Sequence, residues 1–226
     1  MKTKLNKGFT LIELLVVITI IAILASLAVP TFGRIQERGN ITKGINNCKQ
    51  IILSQQLYAS DNNGRYSDKD SEGNDADNAN DAFRNLFIAE VLDNETIFGC
   101  PVSNWGIPDG RIGESPGFDQ AVGRNENHWM MTAGLTNSSS GSIPAVFEAA
   151  TQAEWDPEWN ADAAGQADVQ GRTWGGGKII IGLNDSSVTL TDLAGRRGVQ
   201  KLKGEADNLF ARQPIEKDIL GVDGEG

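Results

Sequence analysis

The chain has 226 residues, with 30 acidic against 20 basic side chains and a formal charge of −10. That balance argues against a nucleic-acid binder, which would carry a basic face, and a single histidine excludes a metal centre built from several histidines. The length accommodates one soluble domain of ordinary size beyond an apolar N-terminal segment.

Lys2, Lys4 and Lys7 precede a run from Phe9 to Val29 whose only charge is Glu13. About 20 apolar residues span a bilayer as a helix, so the run is expected to cross a membrane. The basic residues before it keep the N-terminus in the cytoplasm and send the rest across. Cys48 and Cys100 then lie on the oxidising side, where a disulfide is permitted. A carboxylate at membrane depth costs about 2.5 to 3.5 kcal/mol and calls for a partner. Three readings compete. A secretory signal peptide is one, with the small residues "SLA" before Val29 resembling a cleavage site. A generic anchor is another, but it gives Glu13 no purpose. The third is a helix that assembles laterally, with Glu13 neutralised by a neighbouring subunit.

"KGFTLIELLVVITIIAILASLAVP", Lys7 to Pro30, resembles the N-terminal signature of type IV prepilins and type II secretion pseudopilins. The resemblance covers about the first 30 residues and is specific, because a basic leader, a Gly-Phe junction, an acid and a proline must coincide. It implies that a prepilin peptidase cuts between Gly8 and Phe9 and methylates the new amine, which makes Glu13 the fifth mature residue and Pro30 the twenty-second. The implied partners are other pilin-like subunits, that peptidase, an inner-membrane assembly platform and a cytoplasmic ATPase. The physics agrees with the resemblance: cleavage leaves a cation at Phe9, and Glu13 of an adjacent subunit is its natural counter-ion. Pairing offsets desolvation only in good geometry, which makes Glu13 a register device.

Beyond Pro30, the residues Ile41, Ile45, Cys48, Ile52 and Ala59 fall on one helical face, the pattern of an amphipathic half packed on a globular head. Pro30, Gly33, Gly39 and Gly44 weaken the helix between the halves, so a kink or melted stretch is expected near Pro30. "SDNNGRY", Ser60 to Tyr66, ends the helix. The stretch through it resembles a pilin-like subgroup whose helix ends in Tyr-x-x-Asp-Asn-x-Gly, followed by a short amphipathic helix and a Cys-Pro motif. "DAFRNLFIAEVLDNETIFGCP" matches, with Asp81 as expected N-cap, Phe83, Phe87 and Val91 on one stripe, and Phe98 to Pro101 extended. Strands are expected at Ile143 to Ala149 and as a hairpin within Lys178 to Asp192, turning at Asn184 to Ser187. Where the subgroup carries Asp-Gly-His-Val in that hairpin, this chain has Asp185-Ser186-Ser187-Val188. Gln152 to Gly177 reads as a long surface loop, and the tail after Gly195 as partly ordered with a frayed "GVDGEG" end.

Other chemistry is weaker. Asp68, Asp70, Glu72 and Gly73 begin like a calcium loop, but the twelfth position is Ala79 rather than glutamate. A solvated loop is the better reading, with an irregular calcium site left open. No other cofactor or metal is expected. The resemblance implies a Cys48–Cys100 disulfide, whose loop closure would contribute about 4 kcal/mol; the bland alternative is two buried small side chains. His128 lacks a nucleophile-elbow sequence nearby and is expected to pack. Trp155 and Trp159 suit either a sugar-binding face or a packing pair.

The expected fold is α+β and pilin-like: a leader at 1–8, a membrane and assembly helix at 9–30, an amphipathic half at 31–60, and an α+β head at 61–226 with a small antiparallel sheet. The expected role is non-enzymatic. A subunit held in the bacterial inner membrane by one span, head exported, would join a type II secretion pseudopilus or a type IV pilus, in the periplasm or at the cell surface. The alternative from another class is a secreted binding protein or hydrolase with a signal peptide cleaved near Ala28.

Overall fold

A computed structural model describes residues 10–223 except 102, 104, 165, 167, 168, 205–207, 214 and 215; within the first helix, the side chains of 27–31 and 34 also lie outside the description. The chain forms two compact units, Met1–Asn40 and Ile41–Gly226.

The first helix, α1, is Leu11–Asp61. It starts where Thr10 precedes a run of strong helix formers. It stops where Asn63 and Gly64 turn to positive φ, the Gly64 N–H closing on the carbonyl of Ala59 at 2.8 Å, a glycine-dependent ending. The melted stretch expected near Pro30 is not there: the backbone is helical through it. One proline removes one bond of the ladder, and the turns on either side propagate past it. In the first unit, every large apolar side chain from Leu11 to Leu24 is exposed. Among the described residues no helix is long and apolar enough to cross a membrane; the expected span lies partly outside them, at Phe9 and at the side chains of 27–29.

In the second unit, the helix buries Cys48, Ile52 and Ala59 of the stripe anticipated from the sequence, leaves Ile41 and Ile45 half-buried, and adds Gly44, Ile51 and Gln55. It packs on an antiparallel sheet of β1 (Trp129–Thr132), β2 (Pro144–Glu148), β4 (Lys178–Leu183), β5 (Val188–Asp192) and β7 (Ile219–Leu220), in the order β5-β4-β2-β1-β7. A second sheet pairs β3 (Trp159–Asn160) with β6 (Val199–Gln200). The architecture is α+β, a long N-terminal helix packed with antiparallel sheet.

Alternation splits the strands between two cores. Trp129, Met131, Val146 and Ile180 face Cys48, Ile51 and Ile52, whereas Met130, Phe147, Ile179 and Ile181 join Trp105, Trp159 and Phe210. The helix comes close because Gly182 has no side chain: a Cβ there would sit 2.3 Å from Ile52 Cδ1 and 2.7 Å from Cys48 Sγ. The hairpin turn is fastened to the same helix by Gln56 Nε2, which donates to Asn184 O at 3.0 Å, and to the segment after it by Tyr66 Oη, which donates to Asn184 Oδ1 at 2.6 Å.

Helix α2 (Ala79–Ile88) buries Phe83 and Phe87 as expected, but its N-cap is Asn78, whose side chain accepts from Asp81 N. Asn78 wins because Asp81 already has helical backbone three residues inside. Phe98 closes a 3-10 turn, Thr96–Phe98, before the chain extends at Gly99. Residues 152–177 are more than a surface loop: β3, the 3-10 turn Ala161–Ala163 and the buried Trp159 and Trp174 lie within them. The C-terminal segment is anchored through Asp223, because Gly221 O accepts from Ala79 N at 2.7 Å and Asp223 O from Asn125 N at 2.9 Å. Residues 224–226 lie outside the description.

Candidate functional site

Gly8 and Phe9, the expected cleavage junction, lie outside the described residues, as does the side chain of Pro30. Glu13 is described, and it has a partner in its own chain. Its Oε2 accepts from Thr10 N at 2.8 Å and from Thr10 Oγ1 at 2.7 Å, and Glu13 N donates to Thr10 Oγ1 at 3.3 Å. This reciprocal arrangement is a capping box, which satisfies free N–H groups at a helix start. Its signature, Thr-x-x-Glu before an apolar run, was present in the sequence but hidden behind the question of an intersubunit partner. The negative charge also complements the helix N-terminus.

The head contains a buried polar cluster around Glu148, at the end of β2. Cys100, His128 and Glu148 are 6%, 2% and 2% exposed, so the cluster is shielded from solvent. Trp174 Nε1 donates to both Glu148 oxygens at 3.0 Å, and Ile180 N donates to Oε2 at 2.7 Å. His128 Nε2 lies 3.2 Å from Oε1, and Cys100 Sγ donates to Oε1 at 3.8 Å. Burial alone would lower the His128 pKa, but Cys100 and Glu148 together outweigh it and raise it from 6.5 to about 9.

The Cys48–Cys100 disulfide is not formed: both are buried free thiols. Each sulfur has its own acceptor, Cys48 Sγ donating to Val146 O at 3.5 Å while Cys100 turns to Glu148. Burial pushes the Cys48 thiol well above its ordinary range, and the Glu148 charge adds to the rise, so Cys48 stays protonated.

A family model described as the prokaryotic N-terminal methylation motif matches residues 3–29. The chain is 43% identical over 63 residues to the type IV major pilin protein PilA of Myxococcus xanthus, covering 28% of each chain. It is 43% identical over 63 residues to the type IV wide pilus major component PilA4 of Thermus thermophilus, covering 28% of this chain and 48% of that one. Over this N-terminal segment the chain is similar to type IV pilins. The matches span less than half the length of either relative, and no solved structure matches significantly.

In the head, the described carboxylates Asp68, Asp70 and Asp75 of the acidic loop after α1 have protein partners. Asp68 turns inward and accepts from Gly134 N at 2.8 Å. Asp70 accepts from Glu72 N and Asn74 N, both at 2.9 Å, and Lys69 pairs with Asp75. Asp70 and Asp75 bind within their own loop, while Asp68 ties that loop to the backbone at Gly134. The sugar-face reading of the tryptophans also meets a packed interior. Trp159 is fully buried, its Nε1 donating to Glu148 O at 3.1 Å, and Trp155 packs edge-on against Phe210 at 5.2 Å. Neither ring is on a helix: Trp159 lies on β3 and Trp155 in the segment before it.

Proposed function

We propose that the chain is a pilin-like structural subunit, cleaved between Gly8 and Phe9, methylated on the Phe9 amine and assembled through its N-terminal helix. One observation carries this reading: between Leu11 and Leu24 every large apolar side chain is exposed. At about 25 cal/mol per Å² of apolar surface removed from water, such a helix requires another apolar environment on every side. A bilayer supplies it first, and the helices of other subunits supply it in a filament. Glu13 adds register, its carboxylate meeting the Phe9 amine of the adjoining subunit. The role is assembly rather than catalysis, in a filament of the type IV pilus or type II secretion pseudopilus kind. The partners are the peptidase, an inner-membrane platform and an ATPase, and the head lies outside the inner membrane.

The test is the mature N-terminus. Sequencing protein from cells that carry a prepilin peptidase is expected to begin at N-methylated Phe9. Gly8→Leu is expected to leave the leader attached, because a peptidase that cuts after glycine must admit the residue at that position. A mature chain beginning near Val29 would replace this reading with that of an ordinary secreted protein.

A further inference from the structure

We infer that Cys100, His128 and Glu148 form a site for one divalent transition-metal ion of the zinc class. Three different donor types meet here, with one atom from each lying within 4.8 Å of the others. Zinc bonds of about 2.3 Å to sulfur and about 2.0 Å to nitrogen and oxygen give tetrahedral ligand edges of about 3.5 Å for sulfur–oxygen and about 3.3 Å for nitrogen–oxygen. The observed separations to Glu148 Oε1 are 3.8 Å from Cys100 Sγ and 3.2 Å from His128 Nε2. Closing three donors onto an ion needs only small side-chain shifts.

The alternative for a cysteine, a histidine and an acid is a nucleophile relay, and the geometry opposes it. A relay places the carboxylate on the imidazole nitrogen remote from the thiol, so that it orients the ring. Here Nε2 faces Glu148, the same carboxylate oxygen that the thiol reaches, while Nδ1 has no partner among the described residues. Convergence on one point suits a cation. Thiolate and imidazole select a borderline or soft transition metal over calcium or magnesium. On binding, the Cys100 thiol and the His128 imidazolium release their protons to solvent, and the resulting thiolate and the glutamate together neutralise a divalent charge, as a buried site demands.

Glu148 is already held for the task. Ile180 N and Trp174 Nε1 fix the carboxylate, the supporting role that hydrogen-bond partners play around metal ligands. Cys100 also lines a surface hollow of about 290 Å³ shared with Lys43, Asn47 and Pro108, so the cluster is approached from the cysteine side. The unsupported Nδ1 lowers affinity about 10- to 100-fold relative to a site whose histidine donates to a neighbour. Cys48, buried and protonated, takes no part.

Cobalt(II) is the probe, titrated into the full chain in detergent under a non-thiol reductant. The expected result is a thiolate-to-cobalt charge-transfer absorption with tetrahedral visible bands, saturating at one equivalent and displaced by zinc. Cys100→Ser is expected to abolish the charge-transfer band, His128→Gln and Glu148→Gln to weaken binding about tenfold or more, and Cys48→Ser to leave the spectrum unchanged. The wild-type spectrum decides without relying on any variant to fold: no charge-transfer band at a large cobalt excess overturns the proposal. So does a band that depends on Cys48 instead of Cys100, or a Cys48–Cys100 disulfide in protein isolated without reductant.

Discussion

Gly182→Val is expected to destabilise the head by about 3 kcal/mol, at the upper end of ordinary overpacking costs, lowering the melting temperature by about 6 °C or more. A Cβ at Gly182 meets Ile52 Cδ1 at 2.3 Å, Cys48 Sγ at 2.7 Å and the backbone oxygen of Val146 at 3.3 Å. Ile52 could swing its terminal methyl, but it is fully buried and has nowhere empty to go. The strand cannot retreat either, because β4 is paired to β2 on one side and β5 on the other. The helix must therefore lift, and the whole contact between Cys48, Ile52 and the sheet loosens with it. Gly117→Ala is the control: its backbone lies outside the left-handed region and nothing stands within 4 Å of its Cβ position, so its effect is expected within about 0.5 kcal/mol. Thermal unfolding followed by circular dichroism measures both. A Gly182→Val melting temperature equal to wild type would mean that the helix does not rest on the sheet at this point.

Glu13→Gln is expected to reduce incorporation into filaments about tenfold or more against wild-type chains, while the helix start survives. The capping box separates two roles that the sequence left merged. Glutamine can replace glutamate in that motif, so the local bonds to Thr10 persist and only the charge is lost. If Glu13 also neutralises the Phe9 amine of a neighbour, glutamine leaves that cation buried without a counter-charge. Glu13→Val loses both roles, and breaking a buried pair costs about 3 to 5 kcal/mol, so its incorporation is expected to fall further. Thr10→Ala removes the cap alone, worth about 1 kcal/mol, and is expected to have the mildest effect. Co-expressing differently tagged variant and wild-type chains, then counting each in sheared filaments, gives the measurement. Equal incorporation of Glu13→Val and wild type would confine the carboxylate to its own helix end.

The elements legible in the sequence are those longer than a turn that carry a periodicity, an apolar run or a turn signal. The stripe from Ile41 to Ala59, the phenylalanines of α2 and the hairpin at residues 178–192 each carry a periodicity or a turn signal of their own. Strand β1 escaped because it is four residues long and buried on both faces, which erases alternation. Strands β3, β6 and β7 span two residues each and exist through their partners. Trp159 and Trp174 were obscured by the glycines and acids around them. The cluster at Glu148 had no signal in the chain, since Cys100, His128 and Glu148 sit in unrelated stretches and meet only when the sheet and the segment after α2 close together. The same holds for the cysteines: an even count and an exported setting favoured a bond, whereas the fold gives each sulfur a separate acceptor.

The order of the sheet also sets a clock. The helix that anchors the core is made first, whereas β2 and β4, which cover it, come some 90 to 130 positions later, and β7, which pairs with β1, later still. At about 5 to 20 residues per second on the ribosome, Ile51 and Ile52 wait roughly 6 to 26 seconds between their own synthesis and the completion of β4. During that interval an apolar helical stripe has no sheet to lie on. The head therefore closes only after its parts are available, by long-range pairing rather than by growth from one end.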